Sequence, residues 1–248
     1  MKRYSYRNGN NIIVFRYGKT TNKKIADNKD NIVQTYTFSK AQFNYITDCR
    51  NSGTKPEFKE FFSLDADNCG DCPFAANNKF NVDKIGKCYT HKVMQYSGFV
   101  SMMKSISKQY ECFDNIPEFS EEIHSDILKI CNKKYVRFGT YGEPTEIGLD
   151  LISDITDICS TWTGYTHQYV RKSDYLQYFM ASVHNEHQSK VVSNRWNGRS
   201  FIASKDGSED GVVCPASNEA GFKSTCAKCG LCSGVNGKGK KDVKILEH

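Results

Sequence analysis

The hydrophobic pattern at the start of the chain predicts two strands and a helix. Apolar and aromatic residues dominate 4–6 and 12–15, and the Asn-Gly-Asn sequence at 8–10 is typical of a tight turn between two strands. Ser39 is a favourable N-cap for a helix that runs to about Cys49, with apolar residues at helical spacing along one face. The chain therefore opens with a β-hairpin followed by a helix.

From residue 87 onward, short β-type runs alternate with helical stripes. The predicted strands lie at 88–90, 135–139, 165–169, 180–183, 199–203 and 241–246. The predicted helices lie at 93–110, 120–129, 145–162, near 176 and at 191–196. This alternation predicts an α/β fold with a parallel sheet, built as a partial or complete (β/α) barrel or as an open sheet.

The pattern divides the chain into three segments. Residues 1–62 are predicted to form an N-terminal β-hairpin and helix, and 63–212 a (β/α) repeat core. Residues 213–248 are predicted to be a cysteine-rich C-terminal metal-binding segment packed on that core. In such folds the active residues lie at the C-terminal ends of the strands. The residues that follow the predicted strands are polar or able to bind metal, and they include His91, Arg137, Glu143, His167, Ser182 and His184.

The sharpest chemical signal is a group of four cysteines near the C-terminus, the C-terminal cysteine group. Cys226, Cys229 and Cys232 form C-x2-C-x2-C, and Cys214 lies twelve residues upstream of the first of them. Four thiolates complete the tetrahedral shell of a structural zinc ion, and the tight spacing also matches the first three ligands of a ferredoxin-type 4Fe–4S cluster. The spacing predicts a metal centre and leaves zinc and iron–sulfur open.

A first cysteine group is formed by Cys69, Cys72 and Cys88, with the spacing C-x2-C-x15-C. Three thiolates can take His91 as a fourth ligand and form a Cys3His zinc site. Alternatively, the fourth position stays open, as a catalytic metal or cluster requires. A third arrangement mixes the two groups, with Cys214 completing the first one.

Composition narrows the class of protein. The chain has 248 residues, eleven cysteines, no apolar run long enough to span a membrane and no N-terminal segment of the secretory kind. The odd number of cysteines favours reduced thiols over a disulfide framework, so we expect a cytoplasmic protein without a membrane partner. The lack of a P-loop and of a G-x-S-x-G elbow disfavours P-loop and serine hydrolases. The isolated cysteines are predicted to be small buried residues: Cys49, Cys112, Cys131 and Cys159.

Two motifs resemble those of the radical S-adenosylmethionine superfamily: Cys88-Tyr89, and Gly142-Glu143-Pro144 at the end of a predicted strand. In that family three cluster cysteines lie early in the barrel, the last one often followed by an aromatic residue. A Gly-Gly-Glu-Pro-like motif then ends the next strand and holds the methionine amino group. The order of motifs is the same here over about residues 69–232, with Tyr141 in place of the first glycine and C-x2-C-x15-C where the family has C-x3-C-x2-C.

The resemblance implies an iron–sulfur enzyme whose substrate the sequence does not name. The first cysteine group would hold a 4Fe–4S cluster with one open iron, and the C-terminal cysteine group is similar to the auxiliary-cluster ligands of some members. Among the candidate catalytic residues, Glu143 would bind the amine of S-adenosylmethionine, while Arg137 and His167 would contact an anionic group or the substrate. The implied cofactor-binding residues are Tyr141, Gly142, Glu143, Pro144 and Ser182.

Charge supports an alternative function. The net charge is +6, and residues 1–25 hold seven basic side chains and no acidic one. The aromatic residues of this segment predict either a surface that stacks nucleic-acid bases or the core side of an ordinary hairpin. These residues are Tyr4, Tyr6, Phe15 and Tyr17. The alternative is thus a nucleic-acid-binding protein stabilised by zinc, and the chain is also similar to small cysteine-rich bacteriophage proteins, some described as replication-initiator-like.

A zinc hydrolase is a third hypothesis. Its open metal would be surrounded by His91, His167, His184 or Glu143. The three hypotheses differ in where the polar residues point: an enzyme requires them to converge on one cavity.

Overall fold

The computed structural model describes residues 2–27, 31–70, 72, 75, 88, 90–91 and 93–246. Within these residues the chain forms ten strands: β1 (Lys2–Asn8), β2 (Asn11–Lys19), β3 (Asn31–Ser39), β4 (Tyr135–Tyr141), β5 (Thr161–Thr163), β6 (Tyr165–Thr166), β7 (Met180–Val183), β8 (Ser200–Ser204), β9 (Val212–Val213) and β10 (Val243–Leu246). The predicted strand at 88–90 contains Tyr89, which lies outside the described residues.

Eight α-helices lie in the described part of the chain. They are α1 (Lys40–Ser52), α2 (Phe58–Ser63), α3 (Ala66–Cys69), α4 (Val93–Tyr110), α5 (Glu121–Cys131), α6 (Leu149–Ile158), α7 (Glu186–Trp196) and α8 (Cys226–Cys229). None of them is long and apolar enough to cross a lipid bilayer. The fold is therefore of the mixed α/β kind that the alternating pattern predicts.

The strands form two five-stranded sheets. The first has the order β1-β2-β3-β4-β5, in which β1, β2 and β3 are antiparallel and β3, β4 and β5 are parallel. The second has the order β6-β7-β8-β10-β9, and all of its pairs are parallel. Neither order closes on itself, so the described strands form two open sheets and not a complete barrel.

Gly164 separates the two sheets. Its carbonyl accepts a hydrogen bond from the Met180 amide at the start of β7, whereas its own amide donates to the Cys232 carbonyl. The strand β5 thus continues into β6 with only one residue between them. Six parallel positions result along the two sheets, occupied in turn by β3, β4, β5–β6, β7, β8 and β10.

Strand alternation places apolar residues on both faces of the first sheet. On one face Ile12 and Val14 pack with Tyr36 and Phe38 against α1, α2 and α4. On the other face Ile13 and Phe15 pack against α5 and α6. Successive side chains of a strand point to opposite faces, so one strand supplies both layers. The helices therefore bury the sheet from both sides.

Several sequence predictions are corrected by the structure. The strand β3, the central strand of the first sheet, was not predicted, and the predicted strand at 165–169 is paired only at β6. Thr145 does not cap α6, because it lies in a 3-10 turn after Pro144 and the helix begins behind Gly148. The helix ends at Ile158, so Trp162 belongs to β5, where it pairs with β4.

The predicted cap of α1 is confirmed. The Ser39 hydroxyl accepts a hydrogen bond from the Gln42 amide, and the Gln42 side chain accepts one from the Ser39 amide. The Ser39 hydroxyl also donates to the Leu64 carbonyl at 2.6 Å, and Ser39 is fully buried. This capping box therefore ties α1 to the end of α2.

We expect Ser39→Ala to lower the free energy of unfolding by about 2 kcal/mol, the upper part of the range for a lost N-cap. The reason is that the substitution also leaves the half-buried Leu64 carbonyl without its donor. Ser120→Ala is the matched control, because Ser120 caps α5 at an exposed position and should cost about 0.5–1 kcal/mol. Urea unfolding of both variants measures the difference, and equal losses would contradict this assignment.

Candidate metal and cofactor site

The Gly-Glu-Pro turn lies at the C-terminal end of β4 and is held from two sides. The Glu143 amide donates to the Asn68 carbonyl at 2.8 Å, and the Thr37 hydroxyl donates to the Glu143 carbonyl at 3.2 Å. Gly142 has a φ of +71°, a conformation that favours glycine. A Cβ at this position would lie 2.6 Å from the Thr37 carbonyl oxygen. The turn is therefore clamped between β3 and α3.

The Glu143 carboxylate points toward the end of β6. Glu143 is only 5% exposed, and its Oε2 accepts a hydrogen bond from the Thr166 hydroxyl at 2.8 Å. Its Oε1 accepts from the His167 amide at 3.0 Å and lies 3.5 Å from His167 Nδ1. Hydrogen bonds of this kind compensate the cost of burying a carboxylate. The structure thus brings together two of the three predicted catalytic residues, Glu143 and His167.

The first cysteine group lies beside this carboxylate. Cys72 Sγ is 3.5 Å from His167 Nδ1, and the Gln168 side-chain amide donates to the Cys69 carbonyl at 3.2 Å. Cys88 Sγ lies 3.0 Å from the Thr90 hydroxyl. The helix α3 ends at Cys69 and also carries Asn68, which binds the Glu143 amide. One short helix therefore positions both the first cysteine and the Gly-Glu-Pro turn.

The electrostatics of the first group show that its members share one environment. Burial raises the pKa of Cys69 well above its usual value, and the negative charges of Asp65, Cys72, Cys88 and Glu143 raise it further. Burial likewise raises the pKa of Cys88 to about 11. The Cys69 and Cys88 thiols are therefore protonated at neutral pH, and a bound cation would have to replace those protons.

His167 is the cationic partner of this group. Burial disfavours its imidazolium form, but the charges of Cys72 and Glu143 outweigh that effect and raise its pKa to about 10. Its ring also stacks with that of His184, with centroids 6.1 Å apart and planes inclined by 20°. His167 therefore connects the cysteines and the carboxylate to the strand β7.

His91 attaches the first cysteine group to α2 and α3. Its Nε2 lies 3.3 Å from the Asp65 carboxylate, both side chains are almost fully buried, and its ring packs on Phe62 with centroids 4.2 Å apart. The His91 amide donates to the Cys88 carbonyl at 2.9 Å. A carboxylate on one ring nitrogen is the contact that metal-bound histidines commonly make through their second nitrogen.

A cavity of about 280 Å³ opens beside His167, the residue that contacts both Glu143 and Cys72. Its lining residues come from the segment after β6, from the end of β7 and from the start of α7: His167, Gln168, Tyr169, Val170, Arg171, Ser182, His184 and Gln188. The sequence indicated three of them, His167, Ser182 and His184. The others follow from the way the chain turns after β6, which short-range patterns do not reveal.

The predicted cofactor residues Tyr141 and Pro144 lie behind the turn. Tyr141 is 1% exposed, and its hydroxyl accepts a hydrogen bond from the Gln42 side chain at 2.6 Å. Its ring packs among Phe38, Phe99 and neighbouring aromatic rings. Pro144 is also buried. Both residues therefore support the Gly-Glu-Pro turn from the core.

The C-terminal cysteine group lies at the opposite end of the strands. Cys214, Cys226 and Cys232 are buried together with Tyr135, the first residue of β4, and with the first residues of β7 and β10. Cys229 is half-buried and lies one helical turn after Cys226. The structure thus keeps the two cysteine groups apart, and the mixed set with Cys214 in the first group is not formed.

Arg137 lies within the sheet and not at its C-terminal edge. It pairs in register with Gln34 of β3 and Thr163 of β5, two residues after Tyr135 on the same face of β4. Its positive charge lowers the pKa of Cys226, which burial raises. Arg137 is therefore placed toward the C-terminal cysteine group, in contrast to Glu143 and His167.

No three His, Cys, Asp or Glu side chains in the described ranges are placed so that they could hold a metal ion. In both cysteine groups, however, the sulfurs are near enough for the charge of one thiolate to raise the pKa of another. Metal binding would require the sulfurs to move closer together as their protons leave.

Two aromatic residues of the basic N-terminal segment, Tyr6 and Phe15, belong to the core, and Tyr4 and Tyr17 pack partly buried against it. Tyr6 is 2% exposed and Phe15 is fully buried, so neither ring is available to stack on a base. Arg7 forms an ion pair with Glu118 at 2.8 Å, and Arg3 donates to the Gln109 side chain at 2.8 Å. The hairpin therefore contributes its aromatic rings to packing.

We expect Gly142→Ala to destabilise the fold by at least about 1–2 kcal/mol, because the new Cβ must adopt a left-handed conformation and meets the Thr37 backbone. Gly98→Ala is the matched control. Gly98 lies inside α4 with nothing within 4 Å of a new Cβ, so alanine there should stabilise by about 0.5–1 kcal/mol. Thermal unfolding of both variants checks the opposite signs, and a neutral Gly142→Ala would show that the turn is not clamped.

Comparisons of this chain with models of known protein families, with curated proteins and with solved structures found no match. The chemistry of the site therefore rests on its own residues and on the motifs that carry the resemblance to radical S-adenosylmethionine enzymes.

Proposed function

We propose that the protein is an iron–sulfur enzyme of the radical S-adenosylmethionine kind, in which the first cysteine group holds a 4Fe–4S cluster. The observation that carries this proposal is the position of Glu143. Its buried carboxylate lies beside His167, and His167 Nδ1 is 3.5 Å from Cys72 Sγ. The Gly-Glu-Pro motif and the cysteines, distant in sequence, are thus neighbours at one end of the parallel strands.

The ligand set fits a cluster with an open position. Cys69, Cys72 and Cys88 supply three thiols, and a fourth cysteine is not part of this group. Thiolates are the usual ligands of iron–sulfur clusters, and three of them leave one iron free for a cofactor. Fifteen residues separate Cys72 from Cys88 in the sequence, but a cluster requires only that the sulfurs converge.

The Glu143 carboxylate is suited to bind an amine. It is already fixed by donors from Thr166 and from the His167 amide, so its direction does not depend on the ligand. A fixed carboxylate in a site with little water binds an ammonium group strongly because it need not reorganise. The adjoining cavity, with Ser182 and His184 on its wall, would accommodate the remainder of the cofactor or a substrate.

The chemistry supplied by the bound group would be the transfer of one electron to S-adenosylmethionine. The chain would bind and orient the reactants, and the buried pair of Glu143 and His167 would exclude water from them. The site would lie at the C-terminal ends of parallel strands, where the active residues of (β/α) folds are found.

The first test is the iron and sulfide content of protein purified without oxygen. We expect the variant with Cys69, Cys72 and Cys88 all changed to Ala to contain roughly four fewer irons and sulfides per chain than the wild type. The test compares the iron content of the two proteins, because the C-terminal cysteine group would contribute metal equally to both. Equal iron content in the two proteins would overturn the proposal, and zinc without iron would favour the alternative of a zinc-stabilised nucleic-acid-binding protein.

The second test concerns Glu143. We expect Glu143→Gln to weaken S-adenosylmethionine binding to the iron-loaded protein by roughly 10- to 100-fold, the effect of losing a charged hydrogen bond, with unchanged iron content. Glu146→Gln is the matched control, since Glu146 lies in the same turn but pairs with Lys172 and Asn11. Titration calorimetry measures both affinities. Equal losses in the two variants would show that Glu143 has no special role in binding.

A further inference from the structure

The segment 214–242 connects two neighbouring parallel strands without a substantial helix. The strands β9 and β10 pair in parallel, so the chain between them must cross back to the start of β10. Such a crossover is usually an α-helix that packs an apolar face on the sheet. The only helix in this segment, all of which the structure describes, is the four-residue α8. Another interaction is therefore needed to hold the crossover in place.

Each buried cysteine of this crossover is fixed through its backbone to a different part of the fold. The Cys214 amide donates to the Lys244 carbonyl of β10, and the Cys226 amide donates to the Lys24 carbonyl, each at 2.9 Å. The Cys232 carbonyl accepts from the Gly164 amide at the junction of β5 and β6, also at 2.9 Å. Three separate backbone attachments thus direct the thiols into one pocket at the start of the strands.

Two positively charged side chains lie near the cysteines of this otherwise apolar pocket. Cys214, Cys226 and Cys232 are buried in one cluster with Tyr135, and Tyr165 packs against that cluster. The positive charges of Arg137 and Lys24 act on Cys226, and the Tyr165 hydroxyl forms a hydrogen bond with Cys232. Positive charges and hydrogen-bond donors of this kind stabilise a group of thiolates bound to a metal.

Arg199 binds the part of the crossover that contains Cys232 and the residues after it. Its guanidinium is buried, and it donates to the carbonyls of Leu231 and Gly234, at 3.0 and 2.9 Å, and to the carbonyl of Lys241. One side chain therefore fixes the loop on both sides of Cys232. These contacts position the backbone around Cys232.

We propose that Cys214, Cys226, Cys229 and Cys232 together bind one metal centre, saturated by four thiolates, which replaces the missing crossover helix and fixes the C-terminal segment to the start of the strands. A centre with four protein ligands has no open position, so its role is structural. Arg137 is then the positive charge that partly neutralises the centre, which reassigns it from the substrate role that its sequence position suggested. Zinc and a 4Fe–4S cluster share this ligand chemistry, and the experiment separates them.

The proposal is independent of the first cysteine group, so it is tested in the variant that lacks Cys69, Cys72 and Cys88. After anaerobic purification we expect this variant to retain about one zinc, or roughly four irons with four sulfides, per chain. Adding Cys226→Ser and Cys229→Ser should remove that metal, whereas adding Cys112→Ser, at an exposed isolated cysteine, should not. Absence of metal from the first variant, or metal that persists after the second change, would overturn the proposal.

Alkylation of the wild type gives a second readout that does not depend on variants that fold. We expect the four C-terminal cysteines to be protected together and to become reactive together when a chelator removes the metal, while Cys112 reacts throughout. Reaction of the four at unrelated rates would contradict a shared centre. If the four are protected but the first group never binds iron, this inference stands and the proposed enzyme function fails.

The role of Arg137 has its own readout. We expect Arg137→Gln to weaken metal retention against a competing chelator by roughly 10- to 100-fold, as is typical of lost partners around a metal site, and Arg137→Lys to restore most of it. Equal retention in Arg137→Gln and the wild type would show that Arg137 does not compensate this centre.

Discussion

The buried carboxylate of Glu143 is the constraint on which the candidate site depends. A carboxylate that is almost fully buried must be given hydrogen-bond donors, and these come from Thr166 and His167 at the end of β6. The main chain of the same residue is bound by Asn68 of α3 and by Thr37 of β3. The ends of three strands and one helix must therefore assemble together. Because α3 ends at Cys69, the same assembly places the first cysteine group beside Glu143.

The same parallel strands organise two different kinds of environment. At their C-terminal ends, loops of different origin converge and leave a cavity, which is the usual place for reactive chemistry in such sheets. At their starts, the C-terminal crossover covers the sheet with Cys214, Cys226 and Cys232 packed among apolar residues. An open site and a closed one thus occupy opposite ends of one scaffold.

Local patterns were sufficient for elements marked by turn residues, by a cap or by apolar residues at helical spacing. The hairpin, the cap of α1 at Ser39 and the helix α4 follow from turn residues, capping chemistry and apolar spacing. The strand β3 was missed because it is buried on both faces and contains Gln34, Thr35 and Thr37, which read as polar. The neighbourhood of Glu143 and His167 was anticipated from strand ends, but the distant position of Arg137 was not, since the register between strands is set by tertiary pairing.

With the proposed C-terminal metal centre, the topology would also account for the four cysteines of the crossover. A parallel connection that lacks a helix cannot bury enough apolar surface to offset the entropy of ordering its chain. Arg199 supplies hydrogen bonds to the crossover, but these hydrogen bonds do not add buried apolar surface. Metal binding can supply the missing free energy from few residues, since the affinity of four thiolates for a metal becomes folding free energy. The glycine-rich sequence around Cys229 and Cys232 would then belong to a segment organised by the proposed centre and not by a helix.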